Sequence, residues 1–233
     1  MRIEVTPEQR ALREKVRSYM DALMTPALRA ELAVQEGGGP EYFKAMEKLA
    51  GDGWLGLGWP KQYGGKGLSS IEEFIFFDEV HRSGFPIPLL TLNTVGPTLM
   101  TFGNEAQRQD FLPRILAGKC HFAIGYTEPS AGTDLGSLKT RAVRDGDEYV
   151  INGQKIFCSL ADFADYIWLA VRTDPDAPKH RGISMIIVPT DTPGVSTTPI
   201  RNLGDSNIHA VYFEDVRVPA ENLVGEINTG WKM

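Results

Sequence analysis

The sequence predicts an α+β fold: an N-terminal all-α helical bundle domain followed by an antiparallel β-sandwich or barrel domain. Two observations carry this. Apolar residues recur at helical spacing as far as Lys119 and at a two-residue period after it. Helix-capping signals cluster before the same point, whereas Gly, Pro and Asn turn signals at short intervals dominate beyond it. Residues 1–119 are therefore expected to be helical, 120–226 to form the β-domain, and 227–233 to begin a further helical domain.

In the first part, Thr6-Pro7-Glu8 combines an N-cap, a proline at the first helical position and an early acid. Leu12, Val16, Tyr19, Met20 and Leu23 then repeat at helical spacing. Pro40 opens a second helix through Phe43, Met46 and Leu49. Ser69 or Ser70 caps a third that carries Ile71, Phe74, Ile75, Phe77 and Val80, with Glu72, Glu73, Asp78 and Glu79 expected on its solvated face. Helices over 89–102 and 105–117 follow; Asn104, with Gln107 in capping-box position, introduces the last, and Pro113 is expected to bend or restart it.

In the second part, strands are expected at 121–126, 138–144, 148–151, 166–172, 183–188, 195–201 and 208–213. Asp145-Gly146, Asn152-Gly153, Pro175 with Pro178, and Pro193-Gly194 mark the turns between them. Short strands at this spacing form sandwiches or barrels. Asn228-Thr229-Gly230-Trp231 reads as the beginning of another helix.

Composition bounds the function. The chain has 233 residues, enough for a large core in one or two domains. Its 24 basic and 30 acidic residues give a net charge of −6 with no basic block, which argues against nucleic acid as a partner. Cys120 and Cys158 show no pairing or metal spacing, as expected in a reducing compartment. There is no apolar span of membrane length and no signal-peptide pattern, so a cytoplasmic protein is expected. His81, His121, His180 and His209 lie far apart, so no metal site is expected. Ser, His and Asp are present but no G-x-S-x-G elbow presents a nucleophile. Gly51-Asp52-Gly53-Trp54-Leu55-Gly56 matches G-x-G-x-x-G literally, yet a helix precedes it where the dinucleotide motif needs a strand. It reads instead as a helix end and loop with Trp54 and Leu55 packed inward.

The chemistry concentrates in Tyr126-Thr127-Glu128-Pro129-Ser130-Ala131-Gly132-Thr133-Asp134-Leu135-Gly136-Ser137. Small hydroxyls and glycines surround one bend at Pro129, just after the apolar run from Phe122 to Ile124. Such a segment leaves backbone N–H groups and hydroxyls to meet a polar, planar or phosphorylated ligand at close range. Glu128 and Asp134 flank it, and their expected role is to accept backbone N–H bonds and fix the turn.

Downstream come Gly153-Gln154-Lys155-Ile156-Phe157-Cys158-Ser159 and then Phe213-Glu214-Asp215-Val216-Arg217-Val218-Pro219. In this order the three segments resemble the acyl-CoA dehydrogenase family of flavoenzymes. Trp59-Pro60-Lys61-Gln62-Tyr63-Gly64-Gly65-Lys66-Gly67 is similar to the family's P-E-x-Y-G-G-x-G loop, with lysine and glutamine in place of the usual acids. Gly103-Asn104-Glu105-Ala106-Gln107 with Phe111-Leu112-Pro113 resembles its G-x-E-x-Q-x-x-x-x-L-P helix. The resemblance spans nearly the whole chain.

It implies FAD as cofactor, with Ile124, Tyr126, Thr127, Gly132, Thr133, Phe157, Cys158 and Ser159 around it. Residues from Ile124 to Thr133 match the segment whose backbone meets the pyrimidine side of the flavin and whose end approaches the pyrophosphate. Thr127 matches the threonine of the T-E-P motif; donors there stabilise negative charge on the reduced ring. Gly132 lets the chain approach the diphosphate, and Thr133 offers a hydroxyl to it or to the acyl-CoA. Phe157 falls where tryptophan is usual against the ring face, and Ser159 where a hydroxyl lies near flavin N5. By themselves Phe157 and Ser159 read as an ordinary strand pair.

The resemblance further implies that an acyl-CoA thioester loses its α-proton to a base and its β-hydrogen as hydride to flavin, giving a trans-2-enoyl-CoA. An electron-transfer flavoprotein then reoxidises the cofactor. The family's base is a glutamate in a C-terminal helical domain that this sequence lacks, so the chain is expected to be a fragment or truncated product, with no catalytic base of its own, inactive and poor at retaining FAD when alone, and part of a homo- or hetero-oligomer (dimer or tetramer). Two alternatives stand beside this: a non-catalytic partner subunit of a heteromeric acyl-CoA dehydrogenase, and an acyl-CoA oxidase. Ile124 and Tyr126 in the flavin strand, Leu160-Ala161 and His209 depart from the family pattern and bear on substrate class. The Asp174-Pro175-Asp176-Ala177-Pro178 loop and Val216-Arg217-Val218-Pro219 are similar to members acting on bulky or steroid side-chain thioesters.

Overall fold

The computed structural model describes residues 5–203 and 207–233. They form two compact units, one of residues up to Leu92 with Pro113–Lys119, the other of Asn93–Leu112 with Cys120–Met233. Helices come first and a mostly antiparallel sheet follows, the α+β order expected.

In the first unit, α1 (Pro7–Leu23) begins at the expected cap: Thr6 accepts from the Gln9 N–H while the Gln9 side chain accepts from the Thr6 N–H. A short helix α2 (Pro26–Leu32) follows, capped by Thr25. Its single buried residue, Leu28, leaves too little apolar periodicity to be read in advance. Then come α3 (Pro40–Gly51) and α4 (Ser70–Ser83), the latter with a Ser69–Glu72 capping box. Trp54 and Leu55 are buried beyond the end of α3, and the Trp54 ring stacks on Phe76 with centroids 5.7 Å apart. The α4 carboxylates are not all solvated as expected. Glu79 is 2 % exposed and takes Arg17 Nε at 2.8 Å together with Arg13, because the α1–α4 packing turns that edge of the helix inward and the two guanidiniums compensate the lost water.

The helix over 89–102 contains a π-helical turn at Thr91–Val95 before α5 (Gly96–Phe102). In α6 (Glu105–Leu116), Asn104 and Gln107 cap each other's N–H groups at 2.8 and 3.1 Å. The helix runs on through Pro113 without restarting, and the Ala117 N–H still reaches the Pro113 carbonyl at 2.9 Å.

The second unit is built on β1 (Phe122–Gly125), β2 (Arg141–Asp145), β3 (Glu148–Ser159), β4 (Tyr166–Arg172), β5 (Ile183–Pro189), β6 (Val195–Pro199), β7 (Ile208–Pro219) and β8 (Leu223–Val224). Their order in the sheet is β6-β7-β3-β2-β4-β5-β8, with β1 parallel to β4. One core takes Ile151, Phe213 and Val216 from β3 and β7, and Ile167, Leu169 and Ile186 from β4 and β5, so the sheet wraps around it. Asn152-Gly153, expected as a turn, lies inside a continuous β3. Asn152 exchanges two hydrogen bonds with Asp215 of β7, at 2.9 and 3.0 Å, and the register shifts between Ile151 and Gly153. The extra residue belongs to β7, where Glu214 and Asp215 together face Asn152, so the segment lies opposite a bulge rather than forming a reversal. The last segment forms a single 3-10 turn at Gly230–Lys232.

Candidate functional site

The site grows from the end of β1. Gly125 lies close to β4, where a Cβ would meet the Leu169 side chain at 2.9 Å. The chain then reverses at Pro129-Ser130, closed by the Glu128 N–H to Ala131 carbonyl bond and its reciprocal, both 3.0 Å. Proline is preset for the second position of such a turn. Glu128 is buried and fixes this reversal: its carboxylate accepts the Lys139 N–H at 2.7 Å, the Thr140 N–H at 2.8 Å and the Lys155 ammonium at 2.9 Å. Its expected role as acceptor of backbone N–H groups is what the geometry shows. Burial pushes the Glu128 carboxyl up, but Lys155 and the two amides more than offset it, leaving the group below its ordinary value. Asp134 instead makes an exposed ion pair with Lys179 at 2.6 Å.

The turn is tied to β3 where that strand is irregular. The Ile156 N–H donates to the Thr127 carbonyl at 2.8 Å. Between Lys155 and Cys158 the pairing with β7 slips by one residue, and Phe157 takes φ +61. A bulge re-aims side chains. Here it leaves the Phe157 ring 60 % exposed beside the turn while Cys158 points into the core. Ser159 is half-buried opposite Ile208.

These placements sort the expected residues. Thr127 and the Phe157 bulge are joined through the Thr127–Ile156 bond, and Gly132 sits beside Thr127, where a Cβ would be 3.8 Å from its methyl. Thr133 is exposed on the same loop, and Ile124 is half-buried in register with Trp168. Tyr126 turns its side chain away into an apolar cleft of about 210 Å³ with Leu135, Leu138, Met185 and Trp231. Burial there raises its hydroxyl above the ordinary tyrosine value, the Trp168 indole opposing. The Cys158 thiol lies in the core and is pushed up to about 12 by burial, so a ligand could meet only the backbone of this residue.

Two residues escaped the sequence reading. Lys155 has no side-chain exposure, and its ammonium bonds the Tyr126 carbonyl at 3.0 Å as well as Glu128. Counting by two from Tyr149 and Ile151 places it on the inward face of β3, a signal that a buried cation with a partner must follow. Arg172 holds the 136–138 segment through the Gly136 and Leu138 carbonyls at 2.7 and 3.2 Å. Nothing in its local sequence distinguishes it from a surface strand arginine.

The Thr127 turn and the Phe157 bulge together offer a planar ligand a solvent-open aromatic face beside a polar edge. Among the described residues no group of His, Cys, Asp and Glu could hold a metal ion, and no helix is long and apolar enough to cross a membrane.

Comparison with known proteins identifies the family of the chain. The family models "Acyl-CoA dehydrogenase, N-terminal domain" and "Acyl-CoA dehydrogenase, middle domain" match residues 6–119 and 123–216. The chain is 52 % identical over 239 residues to the acyl-CoA dehydrogenase FadE26 of Mycobacterium tuberculosis, covering all of this chain and 60 % of that protein. It is 54 % identical over 235 residues to FadE29 of the same organism, again over 100 % of this chain and 60 % of the relative. Among solved structures, the ChsE4-ChsE5 complex from Mycobacterium tuberculosis superposes with a TM-score of 0.93 at 53 % identity, over 100 % of this chain and 59 % of that one. The Tcur3481-Tcur3483 steroid ACAD gives 0.93 at 54 %, over 100 % and 60 %. The chain thus spans about 60 % of the length of the curated relatives it matches.

Proposed function

Because the chain belongs to the acyl-CoA dehydrogenase family, we propose that it binds FAD at the Thr127 turn and the Phe157 bulge, in an enzyme that dehydrogenates an acyl-CoA thioester to its trans-2-enoyl-CoA. The observation that carries this is the pinned pair itself: a polar turn and an outward aromatic ring, thirty residues apart in sequence, joined by one backbone hydrogen bond of 2.8 Å.

Thr127 would donate its N–H and hydroxyl to the pyrimidine edge of the ring. Donors fixed there before the reaction favour the charge that gathers on reduction, without reorganisation at the moment of transfer. Phe157 would cover one face, keeping water from it. Ser159 would place its hydroxyl at the ring's central nitrogen, and Gly132 would let the chain approach the diphosphate. Thr133 would bond that diphosphate or the thioester's CoA moiety. When bound, FAD supplies the hydride acceptor. The α-proton needs a carboxylate base, which we place outside these 233 residues. We also propose a cytoplasmic enzyme that passes electrons to an electron-transfer flavoprotein and works as a dimer or tetramer.

A specific observation favours a hetero-oligomer: two structures at 53 % and 54 % identity are two-component assemblies, ChsE4-ChsE5 and Tcur3481-Tcur3483. In that form the chain is one subunit of the enzyme, and its partner brings the base. The second of these is described as a steroid ACAD, which supports a steroid side-chain thioester as substrate. The test is a titration of the purified chain with FAD followed by flavin fluorescence, on wild type and on Thr127→Val with Phe157→Ala. Saturable quenching in the wild type and its loss in the variant are expected; equal quenching in both would remove the site from these residues.

A further inference from the structure

A lysine and a glutamate are almost never fully buried unless paired, and here both are, inside the sheet domain. The side chains of Lys155 and Glu128 are 0 % and 5 % exposed. Three chain segments meet at this pair. The Glu128 carboxylate belongs to the turn after β1 and holds the Lys139 and Thr140 amides just ahead of β2, at 2.7 and 2.8 Å. The Lys155 ammonium comes from β3 and bonds both Glu128 and the Tyr126 carbonyl, at 2.9 and 3.0 Å. Lys155 immediately precedes Ile156, whose N–H fixes the Thr127 carbonyl, and stands two positions before Phe157 at φ +61.

We propose that Lys155 and Glu128 are positioning residues for the flavin site, holding the Thr127 turn and the Phe157 bulge in one fixed relation before any ligand arrives. This rests on the reading of that site as a flavin cleft. The physics sets the role apart from plain stability. A buried ion pair offsets its own desolvation only in part, and a well-packed neutral pair of similar volume is commonly as stable. What the neutral pair loses is direction: four charge-assisted bonds that aim a turn, a strand start and a bulge at one point. Neither residue touches the ligand in this account; each acts through the backbone it holds.

The experiment compares wild type, Lys155→Met, Glu128→Gln and the two combined, in the full chain. Melting temperature, FAD affinity by fluorescence and hydrogen exchange of the ligand-free protein over 126–157 are measured for each. Each single change leaves a buried charge or acceptor unpaired, so both are expected to lose melting temperature and FAD affinity. The combined variant is expected to regain melting temperature yet bind FAD about tenfold more weakly or worse, the cost of misplacing a charge-assisted hydrogen bond. Its amides at Thr127 and Ile156 are expected to exchange faster than in wild type. A combined variant with wild-type FAD affinity and wild-type exchange overturns the proposal, since the pair is then only structural. Should the neutral variants not fold, Glu128→Asp keeps the charge and withdraws it by one methylene: weakened FAD binding supports positioning, and unchanged binding overturns it. A wild type that takes up no FAD sinks the flavin reading itself, and the exchange data still decide whether the pair fixes the turn.

Discussion

Phe157 occupies a backbone conformation, φ +61, that favours glycine, and exposes 60 % of its surface. A non-glycine residue in the left-handed region costs about 1–2 kcal/mol. Phe157→Gly removes that strain while losing a comparable amount, about 0.5–1 kcal/mol, to the freer unfolded chain. The expected melting temperature is therefore within about 2–4 °C of wild type, while the FAD affinity read by fluorescence titration falls sharply. A large drop in melting temperature would show that the ring holds the fold rather than a ligand. Glu128 makes a pH prediction. Its folded carboxyl lies below the ordinary 4.5, so its stabilisation is fully present above that value and is lost as pH falls through the lower folded value. Urea unfolding of wild type and Glu128→Gln should differ by a constant amount at neutral pH, and the gap should close in acid. A gap that widens as pH falls would reverse the assigned sign.

Among elements, the loop from Trp59 to Gly67 shows how tightly irregular backbone can be specified. Its N–H groups fold back on the chain, Gly65 to the Pro60 carbonyl at 3.2 Å and Gly67 to the Trp59 carbonyl at 2.9 Å, while the Trp59 indole bonds the Leu92 carbonyl at 3.0 Å. A Cβ on Gly65 would lie 2.0 Å from the Trp59 carbonyl oxygen, which is backbone and cannot swing aside. Gly65→Ala is expected to cost about 1–3 kcal/mol in urea unfolding, and a neutral result would mean that the loop opens freely. By comparison Ser69→Ala, which removes the capping hydroxyl of α4, should cost about 1 kcal/mol. In the same way β3 depends on its irregularities. Without the slip between Lys155 and Cys158, strict alternation would turn Phe157 to the core face and Cys158 to the open one.

At the scale of the whole molecule, the unit that carries the site also leaves Phe157, Trp231 and Ile227 at least 48 % exposed. Apolar surface of this kind favours association. The chain loaded with FAD is expected not to bleach when an acyl-CoA is added. Bleaching is expected once a second family chain bearing a carboxylate base is supplied, because loss of a positioned base costs about 10²–10⁴ in rate. Stopped-flow absorbance decides it, and rapid bleaching of the chain alone would place the base within these residues.

The sequence by itself determined the fold class and most helix starts, because caps and apolar periods are local: Thr6 with Gln9, Ser69 with Glu72 and Asn104 with Gln107 act within one turn of chain. It also singled out the Thr127 and Phe157 segments, through motifs that need no third dimension to be read. Only the tertiary structure decided the rest. Asn152-Gly153 stayed inside β3 because a bulge of β7 lies alongside to bond it, and Glu79 became a buried ion because two arginines of α1 face it. Cys158 turned into the core because the slip in pairing between Lys155 and Cys158 sets which face each residue meets, and Tyr126 came to line a cleft formed with residues distant in sequence, Met185 and Trp231. The Lys155–Glu128 pair joins positions 27 residues apart, and its meaning rests on a desolvation that only burial creates.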